Sequence, residues 1–75
     1  MDAYLRGAYL GGANLKRANL EGGYLKDAIL MDANLKSTNL TGATLRDAIL
    51  GGAKMNDVLF CNTTMPDGSV IYSGC

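Results

Sequence analysis

The sequence predicts an all-β solenoid: a chain wound into a coil of four short sides, with its leucines inside. Three observations carry the prediction. A leucine recurs every five residues, a small side chain stands two residues before each leucine, and the outward positions recur best at a spacing of twenty.

Leu occupies positions 5, 10, 15, 20, 25, 30, 35, 40, 45 and 50, and Met55, Phe60 and Met65 extend the series. The small positions are Ala3, Ala8, Ala13, Ala18, Gly23, Ala28, Ala33, Thr38, Ala43, Ala48 and Ala53, followed by the larger Val58 and Thr63. The pattern small-x-Leu-x-x therefore runs unbroken from residue 3 to about residue 65. Neither regular element accepts it. In an α-helix five residues advance about 500°, so the leucines spiral over every face and leave no stripe to bury. In a flat strand side chains alternate with period two, and an odd spacing sends successive leucines to opposite faces. The small residue and the leucine, two apart, can share one side of a short extended segment. The remaining residues must then turn a corner before the next pair faces inward.

The outward positions set the number of sides. Tyr4 recurs as Tyr24, Asn14 as Asn34, Lys16 as Lys36, Asn19 as Asn39, Gly22 as Gly42, Asp27 as Asp47 and Ile29 as Ile49, and Arg6, Lys26 and Arg46 form a conservative series. Twenty residues make four pentads, so the coil is square. Residues 1–65 form about three laps, stacked at roughly 4.8 Å, the spacing of paired strands.

Ala13-Asn14-Leu15, Ala18-Asn19-Leu20 and Ala33-Asn34-Leu35 resemble the A-(D/N)-L-x-x consensus of the pentapeptide-repeat family, over nearly the whole chain. The resemblance implies a right-handed quadrilateral β-helix. It also implies that most relatives have no catalytic activity, and that some mimic DNA and protect topoisomerase. The ending Phe60 to Gly68 is similar to that of members common in cyanobacteria and chloroplasts.

The repeat fades at the C-terminus. Pro66-Asp67-Gly68 reads as a turn, and residues 66–75 are expected to form a capping tail, with Val70, Ile71 and Tyr72 folding across the last coil. No cap is visible before the first repeat. Open β-edges pair readily, so the chain is either a fragment of a larger repeat protein or a homodimer through its open end or its apolar face. Cys61 and Cys75 flank the tail. A disulfide between them fits an oxidising compartment, a periplasm or thylakoid lumen; two free thiols fit the cytoplasm.

Seven acidic and seven basic residues leave no net charge. A neutral chain gives no broad electrostatic reason to bind nucleic acid, and DNA mimicry, which needs a dense negative surface, is disfavoured. No apolar run is long enough to insert into a membrane. With no His and only two Cys, no catalytic residue, metal site or cofactor is expected, and a coil this narrow has no room for a ligand pocket.

What remains is a structural or protein-interaction module whose partner the sequence does not identify. Three faces are polar or charged. The fourth, around Leu10, Leu30 and Leu50, shows Tyr9, Ile29 and Ile49, then Gly11, Met31 and Gly51. Two readings stand side by side. Tyr9, Ile29, Met31 and Ile49 form a flat docking face, or they are β-favouring residues that happen to be exposed.

Overall fold

A computed structural model describes residues 4–72, and they form a right-handed quadrilateral β-helix. The reason begins at the corners. The second residue after each leucine has positive φ, at Gly7, Gly12, Arg17, Gly22, Asp27, Asp32, Ser37, Gly42, Asp47, Gly52, Asp57 and Asn62. The N–H three residues after the leucine donates back to the leucine carbonyl, as from Ala8 to Leu5 at 3.0 Å. That is the bond of a β-turn whose third residue must be left-handed. Glycine, Asp and Asn tolerate this backbone best, and they fill all these corners except Arg17 and Ser37.

Between corners each wall is too short for a regular strand, so pairing appears as isolated parallel bridges. Tyr4 pairs with Tyr24 and Tyr24 with Thr44; the same steps of twenty join Tyr9, Ile29 and Ile49, then Asn14, Asn34 and Lys54, then Asn19, Asn39 and Leu59. Each step has a repeated set of backbone bonds. On the Tyr9 wall Leu10 N–H donates to Ile29 O at 2.7 Å, Gly12 N–H to Met31 O at 2.8 Å, and Ile29 N–H to Ala8 O at 2.9 Å.

The core lies inside this ladder. Leu25, Leu30, Leu35, Leu40 and Leu45 are fully enclosed, with Ala28, Ala33 and Ala43 between them. Leu5, Leu10 and Leu15 in the first coil, and Leu50, Phe60 and Met65 near the other end, are only partly buried, because each has a neighbouring coil on one side only. Thr38 and Thr63 take the small position and are also buried. Their hydroxyls donate to the Leu15 carbonyl at 2.9 Å and the Leu40 carbonyl at 2.6 Å, which removes the cost of burying them. Val58, larger than the usual Ala, has a longer corner bond, 3.4 Å to Met55 O.

The tail turns back onto the last coil. Strand β1 (Thr63–Thr64) pairs antiparallel with β2 (Val70–Ile71), Thr63 opposite Ile71. The turn between them is closed by Gly68 N–H to Met65 O at 2.8 Å and Met65 N–H to Ser69 O at 2.7 Å. Asp67 accepts from both the Ser69 hydroxyl and the Ser69 N–H, and the hydroxyl bond first, then the N–H, holds its carboxyl below the usual value. The tail thus adds a strand to the edge of the Tyr4 wall, with the half-buried Ile71 opposite the buried Thr63, while Val70 and Tyr72 stay exposed. Unpaired edge groups of the last coil are satisfied directly by a returning strand, and that fixes its course more firmly than apolar cover would.

Burial and corner geometry lead to one stability prediction. Leu30→Ala, in the enclosed coil, should cost about 3 kcal/mol, and Leu5→Ala clearly less. Ser37→Gly relieves a left-handed side chain worth about 1–2 kcal/mol but adds unfolded-state entropy of about 0.4–1 kcal/mol, so a small net gain is expected. Urea unfolding of the three variants measures this; an equal loss at Leu5 and Leu30 would contradict the enclosed-coil account.

Candidate functional site

The Tyr9 wall is built by the ladder. Tyr9, Ile29 and Ile49 are bridged in series, so their side chains leave one wall in a column, as the twenty-residue period requires. Tyr9 is 76% exposed, Met31 47% and Ile49 48%, while Ile29 is half-buried between its neighbours.

The adjoining column is Gly11, Met31 and Gly51, and the glycines have a visible use. A Cβ on Gly11 would stand 2.8 Å from the Tyr9 hydroxyl, and one on Gly51 would be 4.0 Å from Met31 Cγ. Tyr9 therefore lies along the wall over Gly11, and Met31 reaches across Gly51. At the following corner the Asp32 carboxylate covers Gly52 and occupies the space of a Cβ there. The result is a low apolar strip with an acidic border on this side. On the other side it meets the column of Arg6, Lys26 and Arg46. Asp27 and Asp47 follow Lys26 and Arg46 in sequence, yet no ion pair joins them among the described residues.

Two features escaped the sequence reading. Tyr4 and Tyr24 stack on the neighbouring wall, with ring centroids 5.0 Å apart and planes within 8°; the spacing of twenty was the signal. The second is the role of asparagine. Asn14, Asn34 and Asn39 accept from the N–H two residues on, that of Lys16 at 3.2 Å, Lys36 at 3.1 Å and Thr41 at 3.0 Å, and Asn19 does the same for Glu21 at 3.1 Å. These N–H groups belong to the residue after each leucine, inside the corner, where no backbone acceptor meets them among the described residues. The asparagines are thus side-chain supports of the turn. Tyr9, Ile29 and Ile49 occupy the equivalent place on their wall and cannot supply that bond.

No cavity opens among the described residues, and no cluster of potential metal ligands is present among them. Cys61 is half-buried at the corner after Phe60; Cys75, the other half of the expected clamp, lies outside the described residues.

The family model for pentapeptide repeats matches residues 1–36 and 28–65, in eight copies. Among solved structures the chain is similar to HetL, a pentapeptide repeat protein involved in heterocyst differentiation regulation from the cyanobacterium Nostoc. The TM-score is 0.89 and the identity 39%, over 92% of this chain and 32% of HetL. It is also similar to Rfr23, a pentapeptide repeat protein from the cyanobacterium Cyanothece, with a TM-score of 0.67 and 38% identity over 73% of this chain and 42% of Rfr23. The chain thus spans less than half the length of either. No curated protein matches it.

The asparagine geometry is testable. Asn34→Ala should lower stability by about 1 kcal/mol, the worth of one such bond, and Asn34→Asp should retain most of it. Thermal unfolding of both variants provides the comparison; an alanine variant as stable as the parent would remove the turn-support role.

Proposed function

Because the chain belongs to the pentapeptide-repeat family, we propose that it is a non-enzymatic interaction module that presents the wall of Tyr9, Ile29, Met31 and Ile49 to a partner protein. One observation carries the reading. Three apolar residues stand in a bridged column on an outer wall, at positions where asparagine elsewhere in the same coil supports the corner. The wall forgoes those bonds and leaves apolar surface in water, a pairing of local rule-breaking and exposure that suits a contact site.

The glycines beside the column keep it low, so the matching surface is a flat apolar one. HetL is involved in regulating heterocyst differentiation, and contact with another protein is the means of regulation open to a filled coil. DNA mimicry fits poorly, because the chain is neutral and carries a basic column where a duplex shows one negative charge per about 1.7 Å.

Ile29→Asp combined with Ile49→Asp should abolish partner capture from the host lysate while costing the fold no more than about 1 kcal/mol. Capture with parent and double variant compared side by side, with unfolding as control, tests it. A double variant that retains the same partners ends the proposal.

The clamp between Cys61 and Cys75 belongs to this reading as a fixing of the tail. Among the described residues no cysteine is free. β2 runs antiparallel to β1, with Ile71 opposite Thr63. Closing so short a loop contributes about 3 kcal/mol in the chain-entropy picture. Alkylation in denaturant should label neither cysteine before reduction and both after it; prompt labelling of both without reductant would show free thiols.

A further inference from the structure

We propose that the wall of Asn14, Asn34 and Lys54, with the corner that follows it, receives an extended acidic segment of a partner protein. This surface is separate from the Tyr9 wall, and the inference stands whether or not that wall binds anything. Four of the chain's seven cations gather here, Lys16, Arg17, Lys36 and Lys54. The bridges stack Asn14 on Asn34 and Asn34 on Lys54, and Arg17 N–H donates to Lys36 O at 2.9 Å. Lys16 and Lys36 therefore leave successive laps roughly 4.8 Å apart. All four cationic side chains are exposed, and none has an ion pair among the described residues. Asp57 is the single carboxylate on the same corner. Asp32 borders the wall on its other side, where its carboxylate lies over Gly52.

Three features add to the charge. The first is the asparagines. Asn14 Oδ1 accepts from Lys16 N–H at 3.2 Å and Asn34 Oδ1 from Lys36 N–H at 3.1 Å. Each amide oxygen is thus turned into the corner, and the Nδ2 group, a donor only, is left for whatever lies outside. The second is repulsion. Like charges facing each other on neighbouring laps are unfavourable, and an acidic group seated between Lys16 and Lys36 reverses the sign. The third is the backbone. Arg17 and Ser37, with φ of 64° and 61°, are the two corner residues that are neither Gly, Asp nor Asn, and they stand on this same corner. Left-handed backbone is unfavourable for both, and strain held at one place suits a binding site. The other basic column differs. Arg6, Lys26 and Arg46 follow Tyr4, Tyr24 and Thr44, which offer no amide donors, and Asp27 and Asp47 come next. Arg46 is also taken up by the tail, since a Cβ on Gly68 would stand 3.4 Å from its guanidinium. Ammonium, guanidinium and amide donors together select carboxylates. No cavity opens among the described residues, so a flat chain with several carboxylates suits the wall better than a lone anion. The cations span only about two lap spacings, roughly 10 Å, and the chain lacks the broad positive field that gathers nucleic acid.

Two charge reversals that change the net charge equally test the site. A dye-labelled peptide of alternating Glu and Gly is titrated by fluorescence anisotropy at low salt against the parent, Lys16→Glu with Lys36→Glu, and Lys26→Glu with Arg46→Glu. The first reversal should weaken binding about tenfold, and the second less than about threefold. Lys16→Gln with Lys36→Gln keeps the side-chain stems, so it should fold as the parent does and still bind more weakly. Arg17→Gly should weaken binding while leaving the protein no easier to unfold in urea, which separates the site from the fold. A parent that does not bind the peptide, equal losses from the two reversals, or tighter binding of single-stranded DNA of the same charge would each overturn the proposal.

Discussion

The corner of the coil decides everything built on it. A small residue and a leucine can face inward together only if the chain then reverses within three residues, and that reversal requires a left-handed residue. Its repetition from Gly7 to Asn62 brings each leucine back onto the same axis. The parallel bridges, the enclosed core and the flat walls all follow from that repeated turn. A straight strand of the same composition would bury half its leucines on the wrong side.

The ladder and the core are mutually dependent. Backbone bonds between successive laps leave few main-chain groups of the middle coil unpaired, and the enclosed leucines exclude water from the space the ladder surrounds. Buried hydroxyls enter this scheme only where they find a carbonyl, as Thr38 and Thr63 do. Stability is consequently graded along the axis: full enclosure in the middle, partial at either end. The tail answers this at one end by pairing with a single wall.

The proposed partner contact would use the outer columns. The coil is filled, so differences between walls arise from the residue before each leucine and the one after it. On the Asn14 and Asn19 walls that residue supports the corner. On the Tyr9 wall it contributes exposed apolar surface instead. The same position therefore either supports the corner or leaves the wall apolar.

Read without coordinates, the five-residue period determined the solenoid and its inward columns, because a periodic core leaves one backbone solution, and the twenty-residue recurrence of the outward positions determined its four sides and the alignment of Tyr9, Ile29 and Ile49. The use of Asn14 and Asn34 was not legible, since an outward polar residue and a turn support look alike until the N–H two residues on is seen to lack a backbone acceptor. Nor did spacing reveal that Asp27 and Asp47 stand beside cations without pairing. The tail's course was likewise decided by tertiary structure. Val70 and Ile71 pair antiparallel with Thr63 and Thr64 at the edge of the last coil, a register that residue spacing does not give. Periodic burial is written in the order of side chains, whereas the ends depend on which backbone groups the finished coil leaves unpaired.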